Sequence, residues 1–269
     1  MDLELDGQVA VIMGGASGIG LACARGLAIE GCRVALWDMT VGVKDKAKSL
    51  ADDFGGDPIG LVVDVSDFGA VEAAVKETME ALGPIDHLVH SAAIGSGKFG
   101  FPFTNLNPGD WSQVLNVNVM GMVHVAHAIA PGMINRKNGT MVFIASVAGQ
   151  IGSQTDPPYS ASKAANINFA QCLAKDLAPH NVRVNIVNPG MVQTPLNKGV
   201  WQAWNNQQVP SGRLSYEDWA GAKVRAVVPL GRWQQTEDVG DMVAFLSSAR
   251  ASQVTGQTIN VDGGQVMHW

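Results

Sequence analysis

The sequence has few cysteines, few charged residues and no excess of basic ones. Three of its 269 residues are cysteines, 16% are charged, and the formal net charge is -6. Cys23, Cys32 and Cys172 form neither a disulfide framework nor a metal-ligand pattern, so we expect buried thiols in a reducing compartment. Because no basic patch or tail offsets the negative charge, we expect no nucleic-acid partner.

Long apolar runs and a basic leader are also missing. No apolar run approaches the roughly 20 residues of a membrane span, and the N-terminal MDLELDGQVAVIMGG is acidic where a signal peptide is basic. We therefore expect a cytoplasmic protein with no membrane partner. No linker or repeat interrupts the chain, and 46% of it is hydrophobic. This composition predicts a single domain, residues 1–269, around a large buried sheet.

Short apolar runs alternate with longer helical patterns along the whole chain. Runs rich in Val and Ile predict seven strands, at 8–13, 33–37, 59–63, 85–89, 140–145, 182–187 and 258–261. Helical periodicity or N-terminal capping residues predict helices at 67–82, 107–136 and 157–178. Strands that alternate with helices in this way imply an α/β fold, a doubly wound parallel sheet with helices on both faces.

One segment, at about 195–226, interrupts this alternation. It holds Trp201, Trp204 and Trp219 among Asn, Gln and Gly residues. Since a loop this long in a compact domain is usually functional, we interpret it as a substrate loop or lid. The alternative is that the tryptophans serve a subunit interface.

The first strand leads into a glycine-rich turn that is followed by a helix. The turn runs from Gly14 to Gly20, with Ser17, Gly18 and Ile19 inside it. Glycine lets the backbone approach a pyrophosphate closely, and the following helix N-terminus supplies free N–H groups. A strand before the turn and a helix after it are the context that a dinucleotide site requires.

The second strand ends at Asp38, 24 residues after Gly14. A carboxylate at this position accepts hydrogen bonds from the adenosine ribose and repels a 2′-phosphate. Neither Lys nor Arg lies beside it, since Met39 and Thr40 follow, and none lies in the glycine turn. The pattern therefore predicts NAD rather than NADP as the cofactor.

Four further residues suggest a chemical site. Tyr159 and Lys163 lie four residues apart at the start of a predicted helix, so they share a face. Ser146 follows a predicted strand, at the carboxyl edge of the sheet where ligands bind. Asn118 lies inside a predicted helix, where asparagine is a poor helix former, so its amide requires another reason.

Taken in order, these residues resemble the compact short-chain dehydrogenase/reductase family over nearly the whole chain. The matching positions are the turn 14–20, Asp38, Asp64, Val65, Asn118, Ser146, Tyr159, Lys163, Asn188-Pro189-Gly190, Thr194 and the run from Thr255 to Gly264. The resemblance implies a single-domain Rossmann fold. It also implies a hydride transfer between NAD and a secondary alcohol or ketone.

The resemblance implies a role for each site residue as well. Tyr159 would act as the acid or base, because Lys163 and the positive nicotinamide lower its pKa from the usual value of about 10. Ser146 would hydrogen-bond the substrate oxygen, and Lys163 would hold the nicotinamide ribose. Asn118 would complete a proton path to solvent through a bound water. The implied contacts around the adenine and the nicotinamide are Asp64, Val65, Ala92, Pro189, Gly190, Val192 and Thr194.

Two positions depart from the family pattern. Met13 replaces the Thr before the glycine turn, and His90-Ser91-Ala92-Ala93 replaces Asn-Asn-Ala-Gly after the fourth strand. We expect His90 to fill the altered asparagine position. His124 and His127 share a helix face without a third ligand, so no metal site is expected.

The resemblance also implies a homotetramer. The predicted helices 107–136 and 157–178 carry more apolar positions than one sheet face requires, which favours a helix-pair interface between subunits. The C-terminal residues 266–269, Val-Met-His-Trp, are apolar for a chain end. We therefore expect them to pack on a neighbouring subunit.

The function has two alternatives, and the substrate has two. An NADP-dependent ketone reductase is disfavoured by Asp38, and a redox sensor without catalysis is disfavoured by the intact Tyr159 and Lys163. Among substrates, the polar run Asn205, Asn206, Gln207 and Gln208 favours a sugar or polyol, whereas the tryptophans favour a cyclic or aryl alcohol.

Overall fold

A computed structural model describes residues 2–152 and 155–267. Seven parallel strands form one sheet in this part of the chain, in the order β3-β2-β1-β4-β5-β6-β7. They are β1 (Val9–Met13), β2 (Arg33–Asp38), β3 (Ile59–Val62), β4 (His87–His90), β5 (Gly139–Ile144), β6 (Val182–Pro189) and β7 (Thr258–Val261). Every boundary lies within two residues of the sequence prediction, and the parallel doubly wound sheet is confirmed.

Helices cover both faces of this sheet. In chain order they are α1 (Gly18–Ile29), α2 (Val43–Phe54), α3 (Phe68–Leu82), α4 (Gly109–Leu115), α5 (Gly121–Arg136), α6 (Pro157–Leu177), α7 (Pro195–Asn206), α8 (Tyr216–Val227) and α9 (Thr236–Ser247). Side chains of α1, α2 and α9 pack on one face of the sheet, and those of α3, α5 and α6 pack on the other.

Strand β1 is apolar at every position because it is buried on both faces of the sheet. All five residues of β1 are buried, with Val11 facing the α3–α5–α6 side and Ile12 facing the α1–α2–α9 side. Successive strand residues point to opposite faces, so a sheet covered on both sides needs apolar residues at every position. This packing fixes the carboxyl ends of the strands at one edge of the sheet, where the loops can meet.

The helical region 107–136 differs in two respects from its prediction. Asn107 does not cap it; instead its N–H donates to the Asp110 carboxylate over 2.8 Å, and α4 begins at Gly109. A π-helical turn, Asn116–Met120, separates α4 from α5.

The same run, Gly109–Arg136, has the length and hydropathy of a membrane span, contrary to the expectation from sequence. Its C-terminal half belongs to the protein core. Met122, Val125, Ile129 and Met133 are buried against the sheet. The apolar character of this half therefore serves packing on one side of the helix.

The segment 195–226 is not a loop. It folds into α7 and most of α8, and Trp201, Trp204 and Trp219 pack with Tyr216 and other side chains in a small separate core. Thr194 caps α7 by accepting from Asn197 N over 3.2 Å. Leu196, Val200 and Trp204 recur at the four-residue spacing of a helix face, a signal that the prediction of a loop missed.

Two histidines, the first and the last residue of β4, are buried. The ring of His87 lies between Thr140 and Gln8, with nitrogen-to-oxygen distances of 2.7 and 2.8 Å. His90 packs edge-on against Phe143, and neither of its ring nitrogens has a partner among the described residues. Burial lowers the pKa of His87 to about 4 and that of His90 to about 3.

These two histidines should make the protein less stable in mild acid. Each pKa lies below the ordinary 6.5, so the unfolded chain gains protons that the folded chain does not as the pH falls from 6.5 towards 4. Each histidine lowers the free energy of unfolding by at most about 1.4 kcal/mol per pH unit in that range. His90→Leu should remove its share of this slope, measured by urea denaturation between about pH 7 and about pH 5.

The matched control is His127→Gln, which removes an exposed histidine. It should leave the pH dependence of unfolding unchanged. An equal slope in His90→Leu and in the unmodified protein would contradict the assignment of His90 as a buried neutral ring.

Candidate active site

A cavity of about 910 Å³ opens at the carboxyl ends of the strands. It is a single space that joins the glycine turn, the strand ends and α7. The predicted site residues that line it are Gly14, Ser17, Gly18, Ile19, Asp38, Asp64, Val65, Ala92, Ser146, Tyr159, Lys163, Pro189, Gly190, Val192 and Thr194. Gly20 and Asn118 do not line the cavity but contact residues that do, Gly14 and Ile94 respectively.

The glycine turn is held against two neighbouring segments. Gly14 and Gly15 both donate to the carbonyl of Trp37 at the end of β2, over 2.7 and 3.1 Å. Gly14 has a φ of 84°, and a Cβ there would lie 2.7 Å from Ala92 N. Gly20 packs directly on the carbonyl of Gly14, so a side chain there would clash as well. These contacts explain why the turn needs glycine and how it stays in place without the usual Thr at Met13.

The N-terminus of α1 faces the cavity through Ser17, Gly18 and Ile19. Ser17 is the N-cap residue, but its side chain does not cap the helix. The first N–H groups of a helix have no partner within it, and the helix dipole adds positive potential there. This end of the cavity therefore fits a dinucleotide pyrophosphate.

Asp38 stands at the adenosine end of this cavity. Its Oδ2 accepts from Ala16 N over 3.1 Å, and its Oδ1 accepts from the N–H and hydroxyl of Thr40, each over 3.0 Å. The carboxylate thus links β2 to the glycine turn in addition to facing the cavity. Asp64, after β3, adds a second negative charge nearby, and hydrogen bonds from Ser66 lower its pKa.

Val65 forms part of the wall beside Asp64. It is buried, and a Cβ at Gly121 would lie 2.7 Å from its side chain. His124 lies 2.9 Å from the Val65 carbonyl through Nδ1, so this histidine supports the wall. In the described part of the chain no three His, Cys, Asp or Glu side chains are grouped as a metal site.

Ser146 and Tyr159 both line the cavity and lie within hydrogen-bonding reach of each other. Ser146 follows β5 and accepts from Ala148 N over 3.1 Å, while its hydroxyl also hydrogen-bonds the phenol of Tyr159. Burial raises the pKa of Tyr159 to about 12, and the Ser146 hydrogen bond opposes this. The family resemblance implies a lowered pKa for Tyr159, but in the protein without cofactor burial disfavours the phenolate more than the neighbouring groups stabilise it. A lowered pKa would therefore require the bound cofactor.

Lys163 lies one helical turn after Tyr159. Its Nζ donates to the Ile144 carbonyl at the end of β5 over 2.8 Å and lies 5.5 Å from the centre of the Tyr159 ring. The side chain is only 2% exposed, and burial lowers its pKa to about 7. The amine is thus fixed at the cavity wall beside the phenol.

Asn118 lies in the π-helical turn and is completely buried. Its Oδ1 accepts from Ile94 N over 2.8 Å, and its Nδ2 donates to the Ile94 carbonyl and to Ser162 Oγ, each over 2.9 Å. Ser162 in turn donates to the Tyr159 carbonyl over 2.7 Å. Asn118 therefore ties the loop after β4 to the helix that carries Tyr159, and the implied proton path stays a prediction.

The segment after β6 closes the cavity opposite the glycine turn. Gly190 N donates to the Val261 carbonyl over 3.2 Å, and a Cβ at Gly190 would lie 2.8 Å from that of Asp262. A Cβ at Gly18 would lie 3.7 Å from Thr194. These contacts explain why the sequence motifs at 188–190 and 261–264 occur together.

Some residues that line the cavity were not predicted from the sequence. The additional residues include Gln113, Asp156, Leu196, Asn197, Val200, Lys223 and Gln265. Asp156 was detectable as the residue before the prolines of α6, where its Oδ2 accepts from Ser96 N over 2.7 Å. Leu196, Asn197, Val200 and Lys223 belong to the segment 195–226, whereas its tryptophans and the polar run 205–208 do not line the cavity. The role of this segment as a substrate loop or lid stays a prediction.

Known proteins resemble this chain over almost its whole length. A family model described as enoyl-(acyl carrier protein) reductase matches residues 14–266. The 3-oxoacyl-(acyl-carrier-protein) reductase FabG of Thermotoga maritima is 33% identical over 265 residues, which cover 98% of this chain and 100% of that protein.

Solved structures agree with this match. L-sorbose reductase from Gluconobacter frateurii, complexed with NADPH and L-sorbose, has a TM-score of 0.90 and 30% identity, covering 100% of both chains. Levodione reductase also has a TM-score of 0.90, with 27% identity over 97% of this chain and 98% of its own. The chain therefore belongs to the short-chain dehydrogenase/reductase family of oxidoreductases, which use a nicotinamide dinucleotide and act on small molecules.

Proposed function

We propose that the protein transfers a hydride between NAD and a secondary alcohol, giving the ketone reversibly. One observation carries the proposal: Ser146, Tyr159 and Lys163 line the same cavity as the glycine turn and the free N-terminus of α1. The glycine turn and the N-terminus of α1 would hold the pyrophosphate, Lys163 the nicotinamide ribose, and Thr194 the nicotinamide. When bound, oxidised NAD supplies a hydride acceptor and a positive charge near the phenol.

The chain's own residues control the proton of the reaction. Ser146 and Tyr159 present two hydroxyl groups to one substrate oxygen, because the Ser146 hydroxyl bonds the phenol directly. In alcohol oxidation Tyr159 takes the hydroxyl proton, and in ketone reduction it returns that proton. The phenolate needs positive charge close by, since burial and, to a smaller extent, the charge of Asp156 raise the pKa of Tyr159 to about 12. Lys163, held against Ile144, supplies part of that charge when protonated.

Tyr159→Phe should lower turnover with little change in NAD affinity. The substitution keeps the ring and removes the proton-transferring hydroxyl, and such groups contribute a factor of about 10² to 10⁴. Oxidation by the unmodified enzyme should rise with pH, because the phenolate is the base. Single-turnover hydride transfer and NAD titration, run across a screen of polyols, sugars, cyclic alcohols and aryl alcohols, provide the two measurements.

Two further variants separate the roles of the site. Ser146→Ala should lower turnover without weakening NAD binding, whereas Lys163→Met should reduce both, because Lys163 serves the phenol and the ribose. Near-normal turnover in Tyr159→Phe would disprove the assignment of the proton-transfer group. Binding of NAD without turnover of any alcohol would favour a redox sensor instead.

The preference for NAD is supported by the charges at the adenosine end. Asp38 and Asp64 line this end, and the two lysines that line the cavity, Lys163 and Lys223, belong to other elements. The Asp38 carboxylate is held by three donors, so it cannot easily turn away from a 2′-phosphate. L-sorbose reductase is a relative complexed with NADPH, and an NADP-dependent ketone reductase is therefore the alternative tested below.

The double variant Asp38→Ala/Met39→Arg should shift the ratio of kcat/KM for NAD and NADP towards NADP by at least about tenfold. It removes the repelling carboxylate and adds a cation at an exposed position that lines the cavity. Met39→Arg alone, which keeps Asp38, is the control and should shift the ratio less. A preference of the unmodified enzyme for NADP would refute the proposal.

We also propose a cytoplasmic homotetramer. The three cysteines are free thiols, which favours a reducing compartment. Only 39% of the apolar stretch within Gly109–Arg136 is buried within one chain, which leaves apolar surface that a second copy would cover. Of the C-terminal residues expected at an interface, Met267 is 75% exposed, whereas His268 and Trp269 lie outside the described residues.

Light scattering at micromolar concentration should give the mass of four chains. Cys172→Arg, an exposed position on α6, should reduce that mass because it places a charge on the expected helix-pair interface. Lys46→Glu on α2, which packs on the other face of the sheet, should not. A monomeric unmodified protein would exclude the assembly.

A further inference from the structure

Lys223 reaches the catalytic cavity from α8. It is partly buried, and its side chain lines the cavity that also contains Ser146 and Tyr159. Its Nζ lies 4.9 Å from the centre of the Trp219 ring, and Trp219 is itself buried in the small core of α7 and α8. A cation over an indole face is held in place by the ring quadrupole. The ammonium group is therefore a fixed feature of the cavity wall.

No carboxylate in the described part of the chain forms an ion pair with Lys223. The three aspartates of the cavity have other partners: Asp38 binds Ala16 and Thr40, Asp64 binds Ser66, and Asp156 binds Ser96. Burial lowers the pKa of Lys223, and no neighbouring acid opposes that effect. A cation that is partly withdrawn from water without an anionic partner costs free energy, which an anionic ligand would recover.

Lys223 lies on the side of the cavity away from the adenosine end. The next residue, Val224, packs against Met191, which follows β6. Asp38 ends β2, and three strands separate β2 from β6 in the sheet. At about 4.8 Å per strand, the two ends of the cavity are about 19 Å apart. The Lys223 side is the one that holds Tyr159, whose neighbour Lys163 bonds to the end of β5.

We propose that Lys223 determines substrate specificity by binding a carboxylate on the substrate, so that the enzyme acts on a hydroxy acid and its oxo acid. The inference rests on the proposed hydride transfer and names the substrate of that same site. A single ammonium balances the single charge of a carboxylate, whereas a phosphate dianion would leave one charge unpaired. The hydroxy acid presents its secondary alcohol to Ser146 and Tyr159 and its carboxylate to Lys223.

The test compares acids with neutral esters of the same skeleton. Acetoacetate, levulinate and their methyl esters are reduced with NADH by the unmodified enzyme and by Lys223→Met, which keeps an apolar chain over Trp219. The unmodified enzyme should prefer the acid of at least one pair in kcat/KM. Lys223→Met should reduce that acid-to-ester ratio by about 10- to 100-fold, the range expected when a hydrogen bond to a charged group is lost. Lys223→Arg should restore part of the ratio.

Lys198→Met is the matched control. Lys198 also lies over an aromatic ring, 5.6 Å from the centre of Tyr216, but it is exposed and does not line the cavity. Its removal should leave the acid-to-ester ratio unchanged. Equal losses for acid and ester in Lys223→Met, or an unmodified enzyme that neither binds nor reduces any of the acids, would overturn the proposal. Weaker NADH binding in Lys223→Met with an unchanged ratio would overturn it too, because Lys223 would then hold a cofactor phosphate.

A binding measurement distinguishes this inference from the hydride-transfer proposal. Levulinate binding to Tyr159→Phe with NADH, followed through tryptophan fluorescence, needs no turnover. Binding that depends on Lys223, without turnover by the unmodified enzyme, would support the carboxylate site and contradict hydride transfer. Turnover of neutral ketones without any preference for acids would support hydride transfer and contradict the carboxylate site.

Discussion

The reversal of strand order at β1 is the constraint on which the rest of the site depends. β1 pairs with β2 on one side and with β4 on the other, so the connections that follow β1 and β4 leave towards opposite faces. A crevice opens between them at the carboxyl edge. The glycine turn and the loop after β4 then meet across it, at Gly14 and Ala92. The remaining strands extend this edge outwards, so the adenosine end and the chemical end share one cavity.

The positions of the strands, and of the site residues along the chain, could be predicted from the sequence because both depend on local constraints on residue type. A strand buried on both faces must be apolar at every position, and a turn that packs against a neighbouring backbone must be glycine. Ser146 follows a strand and Tyr159 and Lys163 begin a helix, so the positions of these three residues follow from those boundaries. Asn118 was singled out as a polar residue in a helix, and its bonds to Ile94 and Ser162 supply the reason.

The remainder depends on tertiary packing that local patterns do not encode. The helices at 195–227 bury their aromatic residues against one another rather than against the sheet, and this choice of partner cannot be read from their spacing. The contact of Lys223 with Trp219 follows from their four-residue spacing on α8, but no pattern in the sequence indicates that α8 carries Lys223 to the cavity. The high pKa of Tyr159 likewise arises from burial, a property of the assembled cavity that residue types alone do not reveal.

The π-helical turn between α4 and α5 has a consequence for changes in chain length. One extra residue in a helix advances the following side chains by about 100° around the axis. Gln113 and Val117, before or within the turn, line the cavity, whereas Met122 and Val125 after it enter the core. Deletion of a single residue here would restore an ordinary α-helix and rotate the cavity-lining side chains relative to the core side chains. A single substitution in this region changes one side chain, whereas an insertion or deletion turns cavity-lining side chains towards the core and core side chains towards the cavity.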